Sequence, residues 1–339
     1  MGFLTVRLIT VLLTVVFFLR SGATCAAEQV PRDASAVLSK AAQVVDLQSI
    51  GGAPFLLLAN VVLHEGQKDV AGVYGVTWAG PGQYRRVLQF PNFSATEVVT
   101  GGFIYRQRST DAPPLIIWEL DELLSPASQY RLDGLAPQAK VQRVQSEQTG
   151  GTELTCVLTQ VAHGHVKLCV DAATGKPFSI DRGADAGTES AMREHFEFAD
   201  FQPFEGRAFP HKFSFRGWDS RTIEVQVQRL VRVHAFAADE FTPPKGATPE
   251  AFCEEPQTTG ELNPSSGGTI PIGFRNIEEA LYFRVNPSGG VRYAQALYSS
   301  APLQSKEIIS WFIGTRFPVE SCAGNPVPYE MVILFATGH

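Results

Sequence analysis

Few side chains in this sequence stand at spacings that could do chemistry. His163-Gly164-His165 is the closest histidine pair. Two imidazoles could begin a metal site, but zinc needs a third protein ligand, and none follows at a suitable spacing. The plainer reading is a hairpin tip with exposed rings. His195, His211 and His234 stand alone. Glu119, Asp121 and Glu122 cluster near the start of an expected short helix, where acids suit the helix dipole. A glycoside-hydrolase type of carboxylate pair would need two acids facing one another across a cleft, and nothing in the sequence places them so. His-Glu-x-x-His, Gly-x-Ser-x-Gly, Ser-x-x-Lys and the phosphate-binding Gly-x-x-x-x-Gly-Lys-Ser/Thr are all absent. Gly175-Lys176 runs into Pro177 and suits a turn. The expectation is a protein without catalytic residues, resident metal or cofactor.

The cysteines carry more information, and their meaning depends on the compartment. Arg7 is the only charged side chain among the first nineteen residues, and Leu8 to Leu19 is a run of twelve apolar residues and threonines. That length matches the roughly 7–15 residues of a secretory core and falls short of the roughly 20 that span a membrane. Ala23-Thr24-Cys25-Ala26-Ala27 then suits cleavage before Glu28. A retained anchor starting at Met1 is the alternative, and a lipoprotein at Cys25 a third. Removal of residues 1–27 leaves Cys156, Cys169, Cys253 and Cys322. An even number without any Cys-x-x-Cys, in an oxidising compartment, points to disulfides rather than to zinc or redox chemistry.

The elements that position these residues read mostly as strands. Asp33 can cap a helix from Ala34 to Gln48 whose apolar side chains share one face. Apolar or alternating runs follow at Phe55–Leu63, Val73–Trp78, Tyr84–Phe90, Glu97–Thr100 and Phe103–Gln107. Tight-turn sequences such as Gly101-Gly102 separate them. Leu115–Leu124 reads as a strand running into a short helix. Further strands are expected at Thr152–Val161, Val166–Val170, Phe178–Ile180, Glu194–Phe201, Lys212–Arg216 and Ile223–Gln228. Short turns between successive strands imply an antiparallel meander. With a two-residue turn at His163-Gly164, Leu158 faces Cys169 and Cys156 lies diagonally across. A small change of register would make the two cysteines direct partners; two reduced, buried thiols is the other possibility. Cys253 and Cys322 form a natural second pair closing a loop of about 70 residues.

Residues 247–269 are rich in Pro, Gly, Ser, Thr and Glu and read as a linker. Beyond it the order is strand (Leu281–Val285), turn (Asn286–Gly290), strand (Val291–Tyr298), helix (Leu303–Ile313) and a final strand from Val327 to Phe335. The formal net charge is −6. No basic stripe is present for nucleic acid to bind.

The C-terminal order resembles the C-terminal domain of TonB-family proteins over about 272–336. The resemblance is carried by the turn at Asn286–Gly290, Ser299-Ser300 before the helix, Arg316-Phe317-Pro318 after it, and Gly324-Asn325-Pro326-Val327. Glu279-Ala280 stands where that family commonly has glycine, and the long Pro-rich spacer is missing. The resemblance implies a partner protein of the envelope or outer membrane, docking by strand addition on an edge strand carrying Tyr329, Met331, Ile333 and Phe335. Residues 28–246 are similar in plan to LolA-type periplasmic lipoprotein carriers through the opening helix, Trp78 to Phe90, and Phe241-Thr242-Pro243-Pro244. That likeness implies a half-open barrel with an apolar cavity for a lipid or acyl chain. Phe55, Leu57, Val76, Trp78, Phe103, Trp118 and Phe215 are its candidate lining; the alternative is an ordinary filled core.

The expected fold is therefore mainly β with a few helices (α+β). A curved antiparallel sheet or half-barrel over 28–246 would precede a linker (247–269) and a small ββαβ unit (270–339). The expected role is that of an exported, non-catalytic binding protein of the periplasm or cell exterior. An anchored TonB-type energy transducer and a structural envelope protein are the alternatives.

Overall fold

The computed structural model describes residues 32–48, 52–65, 68–130, 139–161, 164–183, 193–218, 221–253, 257–259 and 277–336. The expected leader, His163 and residues 260–276 lie outside them.

The opening helix α1 (Arg32–Val45) buries Ala34, Leu38, Ala41, Ala42 and Val45, a stripe at helical spacing. Five strands follow: β1 (Phe55–Glu65), β2 (Lys68–Gly80), β3 (Gln83–Phe90), β4 (Phe93–Thr100) and β5 (Phe103–Arg108). Two helices come next, α2 (Leu115–Leu124) and α3 (Pro126–Gln129). Seven more strands return: β6 (Lys140–Thr149), β7 (Thr152–Val161), β8 (Gly164–Asp171), β9 (Pro177–Gly183), β10 (Glu194–Phe204), β11 (Arg207–Arg216) and β12 (Thr222–Arg232). With β13 (Pro249–Ala251) they make one antiparallel sheet ordered β13-β5-β4-β3-β2-β1-β12-β11-β10-β9-β8-β7-β6. Each wing is a run of hairpins. Among the described residues, the β1–β12 pairing joins the two wings, with Leu57 opposite Leu230.

Inward residues alternate along each strand, as a half-buried sheet requires. Phe55, Leu57, Ala59, Val61 and Leu63 of β1 share a core with Phe196 and Phe198 of β10, Phe213 and Phe215 of β11, and Ile223, Val225 and Val227 of β12. Leu38 and Ala41 of α1 and Ile116, Leu120 and Leu123 of α2 join the same core, so the helices cover this one face of the sheet.

Three local differences from the sequence reading have physical causes. Leu115–Leu124 is helical throughout, because Ile116, Ile117, Leu120, Leu123 and Leu124 recur at helical spacing and bury one face. The β-branched isoleucines mimic a strand start. β6, Lys-Val-Gln-Arg-Val-Gln-Ser-Glu-Gln-Thr, is an edge strand so polar that its pattern carries little apolar signal. In the β7–β8 hairpin Val161 pairs with Gly164 rather than Ala162 with His165, and this two-residue difference in register sets Cys156 directly opposite Cys169. The two form a disulfide with Cα atoms 4.1 Å apart. It packs with Leu154 in a small cluster on the face away from the helices, since the neighbouring Val157 points into the main core.

Tyr130 follows α3 and is fully buried. Its hydroxyl lies 2.9 Å from the carbonyl oxygens of both Cys169 and Ser179. The β8–β9 ladder shifts register just there, between Cys169 and Val170, so the phenol serves carbonyls beside the irregularity.

In the stretch read as a linker, β13 pairs with β5 at the edge of the large sheet. β14 (Gln257–Thr259) pairs with β17 (Val319–Cys322), and β17 with β18 (Asn325–Val327). Cys253 and Cys322 are disulfide-bonded across 69 positions. A second three-stranded sheet, ordered β16-β15-β19, contains β15 (Glu278–Val285), β16 (Val291–Ser299) and β19 (Tyr329–Ala336). The helix α4 (Ser305–Ile313) buries Ile308 and Phe312 against Phe283 and Phe317. Glu279, fully buried, accepts hydrogen bonds from Ser299 Oγ and Ser305 Oγ at 2.7 and 2.6 Å. It thereby ties the end of β16 to the start of α4. β17 and β18 intervene between helix and last strand, where the sequence reading had only a loop. Among the described residues, no helix is long and apolar enough to cross a membrane.

Candidate functional site

A cavity of about 450 Å³ opens between the helices and the inward face of β1–β3. Phe55, Leu57, Val76 and Trp78 wall it on the sheet side, with Phe209 of β11 and Leu124 of α2. Phe55, Trp78 and Tyr84 stack in series, with ring centroids 6.2 and 5.6 Å apart. Alternation explains the grouping: Phe55 opposes Trp78, Leu57 opposes Val76, and Trp78 opposes Tyr84, so all point the same way.

Three of the seven proposed lining residues lie elsewhere. Phe103 is 45% exposed. On β5 the inward positions are Ile104, Arg106 and Arg108, so Phe103 points to the opposite face. Phe215 is inward but sits in the other wing, packed on Phe196 at 4.8 Å. Trp118 lines a second space, described next.

A charged cavity of about 300 Å³ adjoins the aromatic one and shares Tyr84, Arg86, Asp121, Phe252 and Cys253 with it. Its floor is a ladder across three neighbouring strands. Arg86 of β3 opposes Glu97 of β4, which opposes Arg106 of β5. Glu97 is 5% exposed. It accepts from Tyr84 OH, Arg86 and Arg106 Nε, each at 3.0 Å. Arg86 also pairs with Asp121 of α2. Arg106 also pairs with Glu250 of β13 at 2.6 Å. Alongside, Arg108 holds Glu330 of β19 through both oxygens, at 3.0 and 2.8 Å, and Arg284 lies 3.3 Å from the same carboxylate.

The electrostatics of the ladder are uneven. Burial opposes the Glu97 carboxylate, but Arg86, Arg106 and Arg108 outweigh it and hold the carboxyl down at about 2. Burial likewise opposes Glu330, which Arg106 and Arg108 hold below the ordinary range. Asp121 goes the other way: burial raises it by more than Arg86 offsets. Three residues that line the aromatic cavity each carry a buried polar atom with no hydrogen-bond partner among the described residues: Trp78 Nε1, Arg86 Nε and Asp121 Oδ1.

The acids of α2 therefore do something other than serve the helix dipole. Each reaches a different strand: Asp121 to Arg86 of β3, Glu122 to Arg182 of β9 at 2.6 Å, and Glu119 to Arg221, beside β12, at 3.1 Å. The helix is thus fixed over the cavity from both wings. The sequence reading missed the ladder, although Arg86, Glu97 and Arg106 stand at inward parity between Tyr84 and Leu88, Ala95 and Val99, and Ile104 and Arg108. Charges at core parity were the available signal.

The proposed docking strand is at an edge: β19 pairs with β15, and its other side carries no strand among the described residues. Tyr329, Met331 and Ile333 pack against the cluster around Phe283 and Phe312, and Tyr329 OH donates to Pro318 O at 2.7 Å. Phe335 opposes Glu279 in the ladder, and its side chain is outside what is described. Leu334 is the exposed apolar residue of the strand, at 41%. Among the described residues, Glu147 approaches Cys156 and Cys169, but these sulfurs are joined to each other and Glu147 accepts from Lys167 at 2.7 Å.

No protein-family model matches the sequence, and no curated protein sequence does. Among solved structures, the fold is similar to that of a LolA superfamily protein from Nitrosomonas europaea, at 11% identity and a TM-score of 0.41, over 62% of this chain and 97% of that one. It is similar also to a DUF1329 family protein from Desulfovibrio piger, at 10% identity and a TM-score of 0.43, over 62% and 95%. A chain of the MucA/MucB complex of Pseudomonas aeruginosa matches at 11% identity and a TM-score of 0.27, over 76% and 82%.

Proposed function

We propose that this protein is a non-catalytic binding protein of the bacterial periplasm that holds one apolar chain, such as a lipid acyl chain, in the aromatic cavity. The observation that carries this is the space itself. Inward side chains of β1 and β2 leave about 450 Å³ unfilled under α2, inside the roughly 300–1,000 Å³ range of ligand sites. The sheet-side wall, Phe55, Leu57, Val76 and Trp78, is apolar, and Arg86 and Asp121 are among the polar residues that line the rest. The charged groups nearby, Asp121, Arg86 and Glu97, are ion-paired with one another, a pattern of positioning rather than of acid–base chemistry.

The test is native mass spectrometry of protein purified from an envelope fraction. Lipid-sized adducts on the wild type, lost in a Val76→Phe variant of unchanged unfolding midpoint, support the reading. A wild type that carries no adduct and takes up none from added phospholipid refutes it and favours a purely structural envelope protein.

Docking of a partner on β19 by strand addition is a separate proposal, supported by the edge position of that strand. Association of a purified candidate partner that survives Leu334→Lys would count against it.

A further inference from the structure

We propose that the charged half of the cleft is a headgroup subsite, and that the headgroup it selects carries a primary ammonium beside a phosphate, as in an ethanolamine phospholipid. The inference rests on the apolar-chain reading above and adds the identity of the polar end.

Continuity comes first. Tyr84, Arg86 and Asp121 line both spaces, so a chain lying against Phe55 and Trp78 places its polar end beside Arg86 and Asp121.

Charge comes second. The groups form an alternating row: Asp121, Arg86, Glu97, Arg106, Glu250. Two guanidinium groups stand between three carboxylates, a balance of −1. Arg108, the remaining arginine of this cavity, is already held by both oxygens of Glu330. An anion entering here would meet five carboxylates, Glu97, Asp121, Glu250, Glu320 and Glu330, against three arginines that each already pair with at least one of them. That excess of negative charge, and the cost of breaking a buried pair, disfavour an anionic head.

The ends of the row come third. Both are carboxylates with a single arginine partner each. Glu250 is 44% exposed along its side chain, and Asp121 Oδ1 has no hydrogen-bond partner among the described residues. An ammonium offers three N–H donors and suits such acceptors without breaking any pair. Burial leaves the Asp121 carboxylate under-stabilised, so it gains most from a second cation.

The donors come fourth. Trp78 is 6% exposed, yet among the described residues its Nε1 has no acceptor, and neither does Arg86 Nε. Both residues line the aromatic half, and Arg86 the charged half as well, so the phosphate of such a lipid would pass them as it follows the ammonium toward its acyl chains. Unpartnered donors and an unpartnered acceptor in one cleft match a zwitterion better than either charge alone.

The experiment incubates the purified full chain with detergent-solubilised phosphatidylethanolamine, phosphatidylglycerol and phosphatidylcholine of one acyl composition, and counts adducts by native mass spectrometry. Phosphatidylethanolamine is expected to exceed phosphatidylglycerol by about tenfold, the value of one charge-assisted hydrogen bond. Phosphatidylcholine, whose quaternary nitrogen has no N–H to donate, falls below phosphatidylethanolamine. Glu250→Gln, at a partly exposed end of the row, narrows the preference for phosphatidylethanolamine severalfold at an unchanged unfolding midpoint. Equal uptake of phosphatidylethanolamine and phosphatidylglycerol overturns the headgroup proposal and leaves the cavity reading standing, as does a ratio unmoved by Glu250→Gln. Uptake of none of the three overturns both.

Discussion

Replacing Glu97 by glutamine removes the charge at the centre of the ladder while keeping its shape. Arg86 and Arg106 each lose one of two carboxylate partners, and Tyr84 OH keeps an acceptor. The magnitude can be reached in two ways. A carboxyl held at about 2 against an ordinary 4.5 corresponds to about 3 kcal/mol of stabilisation by its surroundings. Removing one member of a buried ion pair typically costs about 3–5 kcal/mol. The lower figure is the expectation, because Arg86 keeps Asp121 and Arg106 keeps Glu250. The sign with pH follows from linkage. Glu97 has a folded pKa below its unfolded one, so its contribution is complete above about 4.5 and is lost as pH falls toward 2. Glutamine has nothing to protonate. Urea unfolding of the two proteins, disulfides intact, should therefore differ by about 3 kcal/mol at neutral pH and converge between about pH 4.5 and pH 2. Asp121 and Glu194, both raised by burial, work in the opposite direction but are present in both proteins. A gap below about 0.5 kcal/mol at neutral pH, the range of an ordinary surface substitution, would refute the argument that the ladder is buried and coupled. So would a gap that stays constant as the pH falls.

Gly72→Ala should destabilise by about 1–3 kcal/mol, because the new Cβ would clash with the Phe90 ring; Gly72→Ala with Phe90→Leu should recover part of the loss in thermal unfolding. Exchanging Cys253 and Cys322 together for serine should cost about 4 kcal/mol by chain entropy, and exchanging Cys156 and Cys169 about 3 kcal/mol, so the longer loop should matter more in denaturant midpoints. Tyr130→Phe should cost about 1–3 kcal/mol in the same assay, since it removes the hydroxyl donor serving two buried carbonyls at the β8–β9 irregularity.

The strands were legible wherever one face is buried, because alternation and turn residues then agree. Ile223, Val225 and Val227 of β12 are such a case, and so is the Gly101-Gly102 turn between β4 and β5. β6 was not legible, since an edge strand need not alternate strongly. Half of the cavity was legible: Phe55, Leu57, Val76 and Trp78 are apolar at inward parity, and that is enough to place them. The other half was not. Arg86, Glu97 and Arg106 acquire meaning only when three strands fall into register and set each charge against its opposite, and register depends on hairpin geometry over many residues. The Cys156–Cys169 pairing shows the same limit at the smallest scale, since a two-residue change of register separates a diagonal from a bond.

The seam between β1 and β12 has a consequence for how the chain folds. Synthesis presents β1 early and β12 more than 150 residues later, yet the two lie side by side at the middle of the sheet. Each wing can zip from its own hairpins, whose contacts are local and quick to form. The inner edge of β1, with Leu57, Ala59 and Val61 on its apolar face, must wait open until Arg232 has emerged. An unpaired apolar edge is a template for association with other chains. Closing so long a loop adds little to the equilibrium cost but delays the event. The meeting of the two wings should therefore be a late step in forming the β1–β12 sheet, and the interval before it is when this protein is most exposed to aggregation and most in need of a chaperone.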